Sequence, residues 1–512
     1  MMTDQAFNYI SVLSWLDWLI FATSIALTIA AVCYGHRVQQ RLIRAAAKPT
    51  TAATNHSITN HSIIEYLIMG RQLTLPLFIA TLTATWYGGI LGVTQIAFEH
   101  GIYNLITQGI FWYISYLLFA LYLVKKIRRY NAFSLPEMIK KIFGPRSAAL
   151  SIILIFFKSL PIGYAIGLGI LIQLFFNITL PCAIIIGVSF VVVYSFFGGL
   201  RSVIYSDLVQ LGFMLFGLIS VVGFSMYSFG GIKFLTTALP ATHFSFTGNH
   251  NLNTTLVWIF IACATTFINP TFYHRCFAAK SDKVAIYGIL GATAFWVIID
   301  LCTTLGGMYA KAVIPNADPT NGYLIYSLQL LPNGWKGLFL ASLLATVLST
   351  LDSFLLLASS ILFYDFPIFD RFMIFKRHKL SLHTKHNLSL ILVGIITTVL
   401  AIHFNGKIES VLLTFKGFFA ACLLFPLLIG YFFPGIISDL QFVYACLTGC
   451  FCFGIYTVLL PILLPQLNLC LDPFYIGNLA TLAAIGYFIS KTLYRYTPIE
   501  FISSKPASVV NL

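Results

Sequence analysis

Apolar stretches of roughly 20 residues recur along this chain from one end to the other, each long enough to cross a hydrocarbon layer of about 30 Å as a helix. About thirteen can be counted, near residues 15–34, 73–98, 103–124, 147–172, 181–198, 203–229, 253–273, 284–311, 336–363, 388–405, 409–433, 441–463 and 474–493. Backbone groups in lipid must be satisfied internally, so runs of this length select helices. The expected fold is therefore an all-α polytopic membrane protein of about 13 transmembrane helices. Composition agrees, with 59% hydrophobic and 9% charged residues among 512; soluble domains average about 25% charged. Nothing between the runs is long enough to fold as a separate soluble domain.

The start, MMTDQAFNYISVLSWLDWL, carries Asp4 and Asp17 where a cleaved signal would carry Lys or Arg, so the first span is expected to stay as a helix. Basic residues prefer the cytoplasmic side of a membrane. With the N-terminus outside, 24 of the 30 Lys and Arg fall in inside segments, Arg201 and Arg275 among them. The expected orientation is an outside N-terminus and a cytoplasmic C-terminus, in a plasma membrane, with the short loops suggesting a bacterial inner membrane. The net charge of +14 is then mostly a topology signal, and nucleic acid is not an expected partner.

The ten cysteines lie mostly within the spans and read as small buried thiols, Cys446, Cys450 and Cys452 included. HKLSLHTKH, with His378, His383 and His386, reads as a solvated cytoplasmic loop. PTTAATNHSITNHSI, residues 49–63, reads as a flexible polar linker whose Asn-His-Ser triplets face the wrong side for glycosylation.

The run VLSTLDSF, residues 347–354, sets hydroxyls and a carboxylate inside a membrane-length segment. At about 100° per residue, Thr346, Ser349, Thr350 and Ser353 share one face, and Asp352 falls on its flank. A lone hydroxyl would bond back to a carbonyl one turn earlier. Adjacent hydroxyls beside an intramembrane carboxylate point instead to a pathway or a partner. Hydroxyl and carbonyl oxygens suit a small hard cation such as Na⁺, whereas a transition metal would want imidazole or thiolate.

Two further stretches join it. LTATWYGGILG places Gly88, Gly89 and Gly92 after Trp86 and Tyr87, either to pack helices closely or to break a helix and leave carbonyls free, which at membrane depth happens only around a cavity. In YSFFGGLRSVIYSDLVQ two glycines and Arg201 make a tight turn before a span opening with Asp207, which could cap that helix or pair with Arg201.

Together GRQLTLPLFIATLTATWYGG, YSFFGGLRSVIYSDLVQ, YHRCFAAKS and LLATVLSTLDSFLLLASS, in this order over about residues 65 to 455, closely resemble the sodium:solute symporter family. The resemblance implies a LeuT-type core of 5+5 helices in inverted repeats, with broken first and sixth core helices, working by alternating access. On that pattern residues 1–72 hold the N-terminal helix and polar linker, 73–229 the first repeat, 230–433 the second, and 434–512 the C-terminal helices and a short tail.

Carried over residue by residue, the resemblance places the carbonyls of Ala84, Tyr87 and Thr346 and the hydroxyls of Ser349 and Thr350 around a coupling Na⁺. Asp207 matches a family aspartate tied to coupling; Asp352 stands where many members have a neutral residue, and it joins Asp207 as an ion-coupling candidate. The solute is expected beside the ion, near Trp86 and Gly88 in the first break and Thr265, Thr266, Asn269 and Pro270 in FIACATTFINPTFYHR. Thr265 stands where the family's sugar carriers have a gate aromatic. The Asn-Pro pair is similar to the branch carrying proline and other small carboxylates, although Ala262 and Thr266 replace its upstream aromatics.

Three charges fit no motif. Lys158, in LIFFKSLPIGY, is expected to have a functional or paired role, with Asp352 or an anionic solute; Lys416 and Asp300 also lie inside spans. The function expected is secondary active symport of Na⁺ with a small organic solute, amino acid or carboxylate-like before sugar, without catalysis or an organic cofactor. A proton-coupled or uncoupled carrier on the same fold, or a non-transporting membrane sensor, is the alternative. A sensor would want an appended signalling domain or partner, for which RYTPIEFISSKPASVVNL is too short, and a membrane enzyme would want a polar cluster at one face, which the external loops scarcely offer.

Overall fold

A computed structural model of the chain describes residues 12–46, 55–366, 381–404, 408–463 and 473–496. Among the described residues the regular structure is helical, apart from an isolated bridge between Leu73 and Ala279. Among the described residues ten helical spans are long and apolar enough to cross a membrane, and three shorter apolar helices are Leu75–Ala84, Leu180–Ser195 and Gly417–Phe432.

Residues up to Met138 and from Ser151 to Gly417 form one compact unit. Its first helix, α1 (Trp15–Ala46), opens on Asp17, which accepts from the Ser14 amide at 2.8 Å and from the amides of Gly334 and Gly337 at 2.7 and 2.8 Å. One carboxylate thus satisfies free amides at two helix starts. Part of the stretch read as a linker is helical, as α2 (Asn55–Ile68).

The run near 73–98 is two half-helices, α3 (Leu75–Ala84) and α4 (Ile90–His100), separated by Thr85–Gly89. The next span contains α5 (Phe111–Leu118) between two π-helical turns. The run near 147–172, expected as one helix, is also two, α6 (Pro145–Lys158) and α7 (Ile162–Phe176). Pro161 stands at the junction, where it has no amide to continue the ladder. Then follow α8 (Leu180–Ser195) and α9 (Leu200–Phe229).

The run near 253–273 divides into α10 (Leu252–Phe267) and α11 (Pro270–Ala278). After α12 (Asp282–Val313) and α13 (Pro319–Leu330) comes α14 (Trp335–Ser360). The span that α14 opens is buried along almost its whole length. It packs chiefly on α9, with α1, α7 and α15 (Leu382–His403) around it. A segment so enclosed can carry hydroxyls and a carboxylate only where neighbouring helices supply partners.

Two expectations change here. Arg201 is not a loop charge: it is buried and donates to Glu65 at 2.5 Å. The turn before it is close-packed, since a Cβ on Gly199 would lie 2.5 Å from the Tyr66 carbonyl oxygen. His383 and His386 belong to α15, not to a solvated loop. His386 is buried, its ring 4.8 Å from that of Tyr66, while His383 meets the Gln40 amide at 2.9 Å. His378, the tail 497–512 and the Lys416 side chain lie outside the described residues.

The second unit, residues 139–150 and 418–512, contains most of α16 (Ile408–Phe432), then α17 (Asp439–Gly454) and α18 (Pro473–Tyr496). Asp439 accepts from the amides of Arg146 and Ser147 at 3.1 and 2.7 Å and so caps the start of α6. Among the described residues every cysteine is a free thiol, Cys422 and Cys450 facing each other at 3.0 Å, and no group of three or more His, Cys, Asp or Glu is arranged to hold a metal ion.

Candidate functional site

The hydroxyl stripe of α14 lies against the end of α3. Ser349 Oγ donates to the Ala84 carbonyl at 2.9 Å and to the Thr346 carbonyl at 3.2 Å, and Thr350 Oγ1 donates to the Thr346 carbonyl at 3.0 Å. Four of the five residues expected to hold the ion are therefore joined through the atoms expected to do so. All four are fully buried. Tyr87 is also buried, three residues beyond Ala84 in the break, with its side chain directed to α12.

The back-bonding of an isolated membrane hydroxyl and a hydroxyl bridge between two helices coexist here. Thr346 and Thr350 bond one turn back on α14, while Ser349 also crosses to the broken helix. Gly88 makes that approach possible, for a Cβ on it would fall 2.5 Å from the Thr350 Cβ and 2.6 Å from its Oγ1. Gly89 and Gly92 have no such neighbour within 4 Å. Both readings of these glycines hold here: the helix breaks over Thr85–Gly89, and Gly88 within that break packs closely on Thr350.

On the next turn of the same face lies a buried charge network. Thr81 donates to Asp207 Oδ2 at 2.5 Å, and Arg275 reaches that oxygen at 3.9 Å. Arg275 Nη2 donates to Thr85 at 2.5 Å, Ser353 at 3.0 Å and Thr81 at 3.1 Å. Thr85 and Ser353 meet at 3.0 Å. Asp352 accepts from Tyr194 at 2.9 Å. Arg275, counted in the sequence among cytoplasmic charges, is 1% exposed and ties the second broken helix to the first. Asp207 faces Thr81 and Arg275, not Arg201.

Beside the break sits an aromatic box. The half-buried Trp86 has the rings of Trp112, Phe272, Tyr116 and Trp296 at 5.2, 5.7, 6.0 and 6.2 Å. Trp296 Nε1 donates to the Thr83 carbonyl at 3.2 Å. One turn further along α12, Asp300 accepts hydrogen bonds from the hydroxyls of Tyr87 and Tyr113, and Tyr87 also meets Thr303 at 2.9 Å.

The remaining candidates serve the second break. Thr265 and Thr266 bond back to Ile261 and Ala262 at 2.7 and 3.3 Å, and Asn269 caps α11 by accepting from the Thr271 amide at 3.0 Å. Pro270 begins α11, where its missing amide costs nothing. Lys158 is half-buried at the end of α6.

The profile of the sodium:solute symporter family matches residues 66–439. The chain belongs to that family. Relatives include a sodium/pantothenate symporter of Haemophilus influenzae, 28% identical over 43% of this chain and 46% of that one. A sodium/proline symporter of the same organism is 28% identical over 46% and 51%. The chain thus spans about half the length of these curated relatives. A solved Na⁺-coupled sialic acid symporter in a substrate-bound outward-open state aligns over 95% of this chain and 99% of its own, with a TM-score of 0.72 at 15% identity. That likeness shows the fold, which is LeuT-type.

For this symporter-family chain, sequence reasoning passed over Arg275, Thr81, Thr85, Tyr113 and Tyr194. The alternating threonines in TLTATW were the available signal, since Thr81 and Thr85 lie one turn apart on an apolar helix. Nothing in the spacing identified which helix would face them.

Proposed function

We propose that this protein couples the inward movement of Na⁺ to uptake of a small organic solute by alternating access, with the ion held by the carbonyls of Ala84, Tyr87 and Thr346 and the hydroxyls of Ser349 and Thr350. The observation that carries this is the Ser349 bridge to Ala84, which gathers hydroxyl and carbonyl oxygens from a helix break and an intact helix at one buried point. An all-oxygen set of this kind matches a hard monovalent cation. The coupling suffices: a charge crossing 100 mV releases about 2.3 kcal/mol, and about 1.4 kcal/mol sustains tenfold accumulation.

Asp207 and Asp352 take the part of ion-coupling residues, with Arg275 setting the charge balance around them. Trp86, Gly88, Thr265, Thr266, Asn269 and Pro270 are the proposed surroundings of the solute, which is amino acid or carboxylate-like before sugar. The two five-helix repeats are proposed over 73–229 and 230–433, with the N-terminus outside, the C-terminus cytoplasmic and the setting a plasma membrane. The test is accumulation of labelled amino acids, carboxylates, sugars and nucleosides by proteoliposomes with and without an inward Na⁺ gradient. Accumulation of one class only with Na⁺ supports the reading; accumulation that follows a pH gradient and ignores Na⁺ moves the coupling to the alternative, protons at Asp207 or Asp352.

A further inference from the structure

Asp300 is 3% exposed in the middle of a membrane-length helix. Its described partners are two phenol hydroxyls, from Tyr87 and Tyr113, and no ion pair is formed there among the described residues. Glu65 and Asp207 differ, for each has an arginine, Arg201 at 2.5 Å and Arg275 at 3.9 Å. A buried carboxylate without a cation is costly. Inside a membrane protein such a group marks a place that a charge enters.

Aromatic faces surround the same place. Trp296 precedes Asp300 by one turn of α12, so the two side chains share a face. Tyr116 lies 4.6 Å from Trp296, ring to ring, and Trp86, beside Tyr87 in the break, is half-buried. A carboxylate next to tryptophan and tyrosine faces is the chemistry that holds an organic ammonium, which gains charge attraction from one, with a charge-assisted hydrogen bond where it carries an N–H, and cation–π attraction from the other. A bare Na⁺ would use the oxygens and gain little from the rings.

We propose that Asp300, with Tyr87, Tyr113 and the rings of Trp86, Tyr116 and Trp296, seats a positively charged ammonium group of the transported solute. This rests on the transport reading above and narrows its solute to amine-bearing compounds, such as zwitterionic amino acids or quaternary amines. It also gives the solute a link to the ion. Tyr87, which bonds Asp300, is followed by Gly88, which packs on Thr350. Seating the ammonium sets the Tyr87 side chain, and with it the backbone at the sodium ligands.

The test uses the full chain in proteoliposomes with an inward Na⁺ gradient, offered labelled L-amino acids, tetramethylammonium, short carboxylates and myo-inositol. In parallel, the tryptophan fluorescence of the purified protein is read against Na⁺ and against tetramethylammonium. Expected are accumulation confined to ammonium-bearing solutes, a loss of about tenfold or more in Asp300→Asn, and partial recovery in Asp300→Glu, while the Na⁺-evoked fluorescence change persists. If Asp300→Asn does not fold, Tyr113→Phe, which removes one donor, is expected to weaken tetramethylammonium binding about threefold or more. Accumulation of a solute without an ammonium, or unchanged transport of an amine by Asp300→Asn, overturns the proposal and leaves the sodium reading standing. An Asp300-dependent fluorescence response to tetramethylammonium without any response to Na⁺ supports the seat and overturns the sodium reading instead.

Discussion

Ser349 donates its hydroxyl hydrogen to the carbonyl of Ala84 across 2.9 Å, joining an unbroken helix to the last turn of a broken one. The two residues are 265 apart in the chain, and both are fully buried. Removing the hydroxyl in Ser349→Ala takes away one oxygen of the proposed ion shell, a loss of about 1.4 kcal/mol or more, and should raise the Na⁺ concentration for half-maximal uptake about tenfold. Uptake kinetics at varied Na⁺ measure this, with Thr350→Ala expected to act in the same direction.

Gly88 and Thr350 define the closest approach of the same two elements. In Gly88→Ala the new methyl would collide with the Thr350 Cβ at 2.5 Å, and overpacking of this kind costs about 1–3 kcal/mol. Melting of the purified protein should fall, and the upward shift that Na⁺ gives by binding the folded state should shrink with it. Gly92→Ala, with open space at that position, is the matched control.

Arg275 and Asp207 form the charge pair at the centre of the buried network. Breaking such a pair by removing one partner costs about 3–5 kcal/mol, because the other charge is left buried alone. Arg275→Gln should therefore be more destabilising than the double variant Arg275→Gln with Asp207→Asn. A double-mutant cycle on thermal or denaturant stability reads the difference directly.

Much of this was legible in the sequence, and the reasons are physical. The membrane-length runs and the stripe Thr346, Ser349, Thr350 and Ser353 follow from helical period alone, and the glycines after Trp86 marked the first break. Pairings across helices were not legible. Arg275 read as a cytoplasmic charge because an apolar run ends near it, yet the kink at Pro270 carries it back into the interior, onto threonines that look like ordinary membrane residues one at a time. His386 was misplaced for the same reason: its neighbours in sequence are polar, but its neighbours in space are Tyr66 and Ser359.

Acid should loosen one end of the first unit. His100, which follows the apolar part of α4, is lowered to about 4 by burial and then by His250 and His243. His243 is lowered as well, by burial first and then by Lys311, against the hydrogen bond it shares with the Phe98 carbonyl. Groups held neutral in the folded state take up a proton on unfolding below their ordinary value of about 6.5. Their contribution is complete above that pH and declines as the pH falls toward 4. Melting temperatures across this window should drop more steeply in the wild type than in His100→Gln, and equal slopes would remove these histidines from the explanation.

The most direct measurement of the central claim is equilibrium binding of labelled Na⁺ to the purified protein, wild type beside Ser349→Ala and Thr350→Ala. Saturable binding in the wild type that weakens about tenfold or more in either variant is the predicted result. Saturable Na⁺ binding of equal strength in all three, or none in the folded wild type, would contradict a sodium site between Ala84 and Ser349.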